Sequence, residues 1–269
     1  MASSVSKMVP KRNGRTVAEE AVADNAGVLE DGSVSYPEAG TPQGGVVSPI
    51  LANIFLHEVL DAWFDREVKP RLAGKAALFR YADDAVFLFA DETDAQKVMD
   101  VLPKRLGKYG LELHPDKTRL VDFRRPDRFP PAGGSTGPGT FDLLGFTHHW
   151  GKARSGKWIV KRRTAKDRFR RALKRVADWC REHRHDEVRT QQEALGQKLR
   201  GHFGYFGIRG NFDAIARFAR EVTEVWRKWL SRRSQRASVP WEQMHGLLKR
   251  YPLPQPRISS SLLLRAASP

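Results

Sequence analysis

Apolar residues are poorly patterned and without sustained period over the first 25 positions, then fall into regular patterns from Gly27 onward. Residues 1–25 therefore read as a disordered or remnant leader. Val28–Tyr36 holds two short β-prone pieces around Asp31-Gly32, a type I′ hairpin signal. Gly40, Gly44 and Gly45 surround Pro42 in a loop, and Ser48-Pro49 supplies an N-cap with proline at the first helical position. Beyond it Leu51, Ile54, Phe55, Val59, Trp63 and Phe64 form one helical stripe. Leu78, Phe79 and Tyr81 lead into Asp83-Asp84, and Val86, Phe87, Leu88 and Phe89 follow, which predicts a strand–turn–strand hairpin with both carboxylates at its tip. A helix over Thr93–Tyr109 turns Val98, Val101, Leu102 and Leu106 inward, with Pro103 expected to kink or divide it. Residues 111–123 read strand, turn, strand; 125–140 form a Pro/Gly loop; 141–150 and 154–163 read as a further strand pair.

From Thr164 the period becomes helical. Phe169, Leu173, Val176 and Cys180 share a face whose opposite is almost all arginine and lysine. A second helix covers 187–200, and the glycine-aromatic link 201–210 leads to Asn211 as N-cap of a third. That helix turns Ile215, Phe218, Val222, Trp226 and Trp229 inward. Five prolines and a serine run predict an irregular tail over 240–269. The pattern is α+β.

Charge sharpens this division. The formal net charge is +16, but residues 151–269 hold 29 Lys and Arg against 10 Asp and Glu, while 1–150 hold 18 against 21. A solvated helical surface mixes both signs. A one-sided excess points to a polyanion, whose phosphates release counterions when lysine and arginine neutralise them. No run reaches the roughly 18–20 apolar residues of a membrane helix, and the N-terminus lacks the apolar core of a signal peptide. The single cysteine, Cys180, excludes an internal disulfide and a cysteine-rich zinc site. A cytoplasmic protein is expected.

Adjacent carboxylates at a hairpin tip repel unless a cation joins them, and Mg2+ favours carboxylate oxygen together with substrate phosphate. His183, His185 and Asp186, on a basic helix end, read as solvated residues rather than zinc ligands, and His148-His149, between a strand and Trp150, has no cysteine partners for zinc. Phe203, Tyr205 and Phe206 in the glycine-rich link are candidates to stack on nucleic-acid bases.

Tyr81-Ala82-Asp83-Asp84 resembles the catalytic signature of reverse transcriptases. Pro42-Gln43-Gly44 upstream, Gly110-Leu111 through His114–Thr118, and Leu144-Gly145-Phe146 are similar to three further motifs of that family, in order and rough spacing. Their variants, and the segment Leu199–Ser231, resemble the group II intron maturases, so the resemblance spans about residues 26–250. It implies a partial palm with an antiparallel sheet over 26–160, a basic three-helix thumb over 161–235, and a Pro/Ser-rich tail over 236–269.

The resemblance further implies residue roles for RNA-directed DNA synthesis with intron RNA binding that assists splicing. Asp83 would bind two catalytic Mg2+ ions, with Asp84 as its less directly coordinating neighbour; Lys117 would lie near the triphosphate. Gln43 would sit beside the incoming nucleotide and template, while Tyr81 and Ala82 shape the primer end and sugar pocket. Arg162, Arg163, Arg170, Arg171, Tyr205 and Phe206 are the expected nucleic-acid contacts. Structured intron RNA and an RNA/DNA primer-template are the implied partners.

Family enzymes take another aspartate, opposite the Asp-Asp pair, from an upstream strand motif. Asp24, in Val-Ala-Asp-Asn, lacks the hydrophobic strand that motif requires. The expectation is a chain inactive alone, with a separate fingers-bearing fragment as a candidate partner. The alternative is a non-catalytic RNA-binding maturase-like protein or a degenerate remnant.

Overall fold

The computed structural model describes residues 2–10, 28–30, 33–35, 48–128, 138–234 and 238–259. The chain divides into two compact bodies, Met1–Leu144 with Lys152–Trp158, and Gly145–Gly151 with Ile159–Pro269. The described elements mix helices with antiparallel strand pairs, in keeping with the expected α+β class.

In the first body, strands β1 (Ala2–Pro10), β4 (Ala76–Tyr81), β5 (Asp84–Phe89) and β6 (Leu111–Leu113) lie in the order β4-β5-β1-β6, and β7 (Arg119–Asp122) also pairs with β1. β2 (Val28–Glu30) and β3 (Ser33–Ser35) pair separately, with Glu30 opposite Ser33. The Asp31-Gly32 turn itself lies outside the described residues. β8 is Phe141–Leu143, its Phe141 ring edge-on to Phe123 at 5.0 Å.

One face of the sheet is covered by α1 (Ser48–Leu56) with its continuation to Val68, and by α2 (Glu92–Gly107). Ala85, Phe87 and Phe89, alternating along β5, meet Leu56, Val59, Leu60, Trp63 and Phe64 from the first helix and Val98, Leu102 and Leu106 from α2. Phe64 lies edge-on to Phe87 at 5.2 Å. Truncating either fully buried ring would cost about 3–5 kcal/mol in lost transfer energy and cavity.

Two periodicity expectations fail in detail. Ile54 is 58% exposed and Val101 46% exposed. Past Leu56 the helix winds with π geometry over His57–Ala62 and Phe64–Val68. Wider winding shifts the buried stripe, so extrapolating a 3.6-residue period backward misplaces Ile54. Asp91 caps α2 by accepting from the Asp94 amide at 3.0 Å, and the helix runs undivided through Pro103.

The leader expected at 1–25 is corrected over Ala2–Pro10, which forms β1. Its sequence has little apolar patterning, but backbone groups alone suffice for pairing. β1 meets β5 on one side (Ala2↔Phe89 through Lys7↔Asp84), and β6 and β7 on the other.

The second body pairs β9 (Phe146–Lys152) with β10 (Trp158–Thr164) and packs α3 (Lys166–Glu182), α4 (Val188–Phe206), α5 (Phe212–Leu230) and α6 (Trp241–Arg250) around one core. Val176, Cys180, Leu195, Leu199, Phe203, Ile215, Phe218, Val222, Trp226 and Met244 are buried there, and Trp229 is half-buried against them. Three of these helices, α3 to α5, lie within 161–235, and the irregular tail is corrected over Trp241–Arg250, where α6 forms. Pro240 precedes α6 instead of interrupting it. Farther on, Leu253 enters the core and the Ser259 amide donates to Gly207 O at 2.7 Å. A Cβ at Gly207 would lie 2.6 Å from Arg257 O, so that close approach requires glycine.

Candidate active site and nucleic-acid interface

The β4–β5 hairpin closes at the Tyr81↔Asp84 pair, leaving Ala82 and Asp83 as its two-residue loop. Ala82 has φ +50°, the positive value primed hairpin turns demand. A Cβ in that region costs on the order of 1–2 kcal/mol. Directly opposed residues share a face, so Phe79, Tyr81, Asp84 and Val86 lie on the face away from Phe87 and Phe89. Tyr81 is 66% exposed, and both aspartates are half-buried. The hairpin therefore presents an aromatic ring and two carboxylates at one end of the sheet.

The strand beside this hairpin is β1, and its register sets Lys7 opposite Asp84. No Asp or Glu occurs in Ala2–Pro10. Lys117 ends the short Pro115–Lys117 turn between β6 and β7 and is exposed. Leu113 pairs with Met8 and Arg119 with Val5. Lys117 thus falls across β1 from Asp84, about two strand spacings, or roughly 10 Å, away. Gln43 lies outside the described residues.

The donor chemistry of Asp83 and Asp84 suits Mg2+, a hard cation that takes carboxylate oxygen and substrate phosphate. Among the described residues no group of three or more His, Cys, Asp or Glu gathers to hold a metal. A residue passed over in the sequence also reaches the tip: Arg80 donates to the Ala82 carbonyl at 3.0 Å. Its position directly before Tyr81 was visible, but its partners were not.

In the second body, Arg162 and Arg163 are exposed on β10, the end strand of its sheet order, and Arg170 and Arg171 are exposed on α3. Arg171 is already paired with Asp167, and Lys174 with Asp178. Tyr205 is 55% exposed and stacks on Phe146 with centroids 5.9 Å apart. Phe206 is half-buried, edge-on to Phe146 at 5.3 Å and 4.7 Å from His202, which makes it chiefly a packing residue.

His202 stacks on Phe218 at 3.7 Å, and its Nε2 is buried with no hydrogen-bond partner. Burial lowers its pKa to about 4. Burial likewise raises the Cys180 thiol to about 12, keeping it protonated and unreactive at neutral pH. His183 stacks on Trp179 at 4.6 Å, with its Nδ1 2.9 Å from Trp179 O, a structural role.

Asn211 stands at the N-cap position of α5 but makes no capping bond. Its Oδ1 accepts from Thr164 N at 2.8 Å, and its Nδ2 donates to Thr164 Oγ1 at 2.9 Å and Phe206 O at 2.8 Å. It ties the end of β10 to the α4–α5 link.

Residues 16–148 match the family model described as reverse transcriptase (RNA-dependent DNA polymerase). That segment, just under half of the chain, is similar to the reverse-transcriptase family. Among curated relatives it is similar to the group II intron-encoded protein LtrA of Lactococcus lactis subsp. cremoris, 26% identical over 277 residues. That match covers 72% of this chain and 44% of LtrA, so the chain spans less than half the length of that relative. An uncharacterized 91 kDa protein in the cob intron of Schizosaccharomyces pombe is 57% identical over 35 residues, 13% of this chain and 4% of its own length. Among solved structures, telomerase from Candida albicans, in complex with a TWJ fragment of telomeric RNA, aligns over 79% of this chain and 32% of its own at 16% identity. Its TM-score of 0.34 carries no argument. The reverse-transcriptase segment includes Gln43, the Tyr81–Asp84 hairpin and Lys117, while the exposed arginines of β10 and α3 lie beyond it.

Among the described residues no helix is long and apolar enough to cross a membrane.

Proposed function

We propose that this chain carries the carboxylate hairpin of RNA-directed DNA synthesis together with a basic body that recognises structured RNA, and that alone it binds RNA without extending a primer. The observation that carries the reading is the Asp83-Asp84 hairpin tip, its carboxylates half-buried, inside the family-matched segment. Tyr81 beside it offers a flat surface to a primer end. Lys117, across β1, is a cation suited to a triphosphate. Mg2+ bound at the two aspartates would supply charge neutralisation at the reacting phosphate.

Inactivity alone is supported by the adjoining strand. β1 brings no carboxylate, and the residue opposite Asp84 is a lysine. Two acids without a third carboxylate from the adjoining strand hold paired divalent ions poorly, because the second ion is left short of oxygen ligands. A third carboxylate brought to this end of the sheet would complete the site. The exposed arginines of β10 and α3 are the RNA-contacting set, with Tyr205 as a stacking residue. By kinship with LtrA, intron RNA is the proposed ligand and assistance in splicing the proposed role.

Primer extension on an RNA template with Mg2+, using the full chain beside an Asp83→Ala control, tests this. The expected result is RNA binding by both proteins and extension by neither. Extension by the full chain that disappears in the control would show a complete polymerase site and overturn the claim of inactivity.

A further inference from the structure

We infer that Arg80 is the positioning residue of the carboxylate hairpin, fixing the loop that aims Asp83 by tying it to α1 and its continuation. This deepens the proposed function and rests on the reading of Asp83-Asp84 as the reacting end of the sheet.

Alternation along β4 puts Arg80 on the same face as Leu78, opposite Phe79 and Tyr81. The guanidinium consequently runs toward the helices, where it is 11% exposed on its side chain. Nε donates to Asp61 Oδ1 at 2.8 Å and Oδ2 at 3.1 Å, and Nη2 to Oδ2 at 2.7 Å, a fork on one carboxylate. Nη1 donates to Asn53 Oδ1 at 2.9 Å and to the Ala82 carbonyl at 3.0 Å. Asn53 is itself held by its Nδ2 donating to Pro49 O at 2.9 Å. One planar cation thus joins the hairpin loop, α1 and the π-wound stretch bearing Asp61.

Two features make this more than packing. Ala82 sits at positive φ, a conformation that persists only where surrounding contacts over-determine it, and its carbonyl is one of the atoms clamped. Asp83 follows directly, so the loop geometry set by Arg80 decides where that carboxylate lies. The other end of the clamp is α1, reached at Asn53, and its continuation, reached at Asp61. Lysine cannot substitute: an ammonium is a point donor and cannot span Asp61, Asn53 and the Ala82 carbonyl together.

The test compares amide hydrogen exchange in the full chain with that in Arg80→Gln, Arg80→Lys and Asp61→Asn. Exchange at Ala82–Asp84 is expected to rise at least about tenfold in both Arg80 variants and less in Asp61→Asn, while Phe87–Phe89 stays within about twofold. An unchanged tip, a uniform rise across β4 and β5, or full restoration by lysine would overturn the inference. A second readout is Mn2+ affinity, followed by electron paramagnetic resonance with Asp83→Ala as control. Affinity should fall in the Arg80 variants although both carboxylates remain. Absence of any Asp83-dependent Mn2+ binding in the unaltered chain would count against the metal-site reading, while the exchange data would still decide whether Arg80 positions the loop.

Discussion

Replacing Arg162, Arg163 and Arg170 together with glutamine should reduce the salt dependence of RNA binding by a calculable amount. All three are exposed, on β10 and on the outer face of α3. Each phosphate neutralised contributes about 0.7–0.9 to the slope of log affinity against log salt, so three lost contacts lower it by about 2–3. Between 50 and 200 mM salt, the unaltered chain should then lose about 20- to 40-fold more affinity than the triple variant. Arg171 differs because Asp167 already holds its guanidinium. Arg171→Gln alone should move the slope less than half as far as Arg170→Gln alone. Fluorescence anisotropy with a structured RNA at four salt concentrations measures both, and circular dichroism confirms that the helices are intact. A triple variant whose slope changes by less than about 0.5 would show that these arginines form a solvated face. Equal effects of Arg170 and Arg171 would show that the Asp167 pair opens at no cost.

The same body supplies two stability predictions. Asn211→Ala removes three hydrogen bonds and strands the buried Thr164 amide, which should cost roughly 2–4 kcal/mol. Urea unfolding followed by tryptophan fluorescence reads this, and a loss below about 1 kcal/mol would mean that water replaces the side chain. His202 titrates near 4 when folded and near 6.5 when unfolded, so its neutral form favours the folded state. Stability is full above pH 6.5, falls as pH drops from there, and levels off below about 4. For a half-buried ring the loss should be on the order of 1–2 kcal/mol. His202→Phe should remove that part of the pH profile, and an identical profile in the variant would assign the acid sensitivity elsewhere.

Legibility in the sequence followed the range of the interactions. The carboxylate hairpin was readable because two β-prone runs flank Asp83-Asp84 locally, and the Tyr81↔Asp84 register closes where those runs meet. The helical core was readable wherever winding stayed regular, as in Ile215, Phe218, Val222 and Trp226. It failed where π geometry changed the phase beside Ile54. β1 was invisible because a strand held by neighbours on both edges needs no amphipathic pattern of its own. The α6 helix was hidden by counting prolines rather than asking where each stands: Pro240 precedes the helix and Pro252 follows it.

Arginine shows most clearly why residue type alone underdetermines the site. The basic excess after residue 150 was visible as a sum, and the exposed Arg162, Arg163 and Arg170 belong to that sum as the proposed phosphate contacts. Arg80 belongs to the other half, where charge is nearly balanced, and nothing in composition marks it. Its partners lie 19 and 27 residues upstream, and only the folding of the hairpin against α1 and its continuation brings them within reach. An exposed arginine acts through its charge and is screened by salt. A sequestered one acts through the geometry of its five donors and is insensitive to salt. Raising ionic strength should therefore weaken RNA binding while leaving exchange at Ala82–Asp84 unchanged, which separates the two uses of one residue type within one chain.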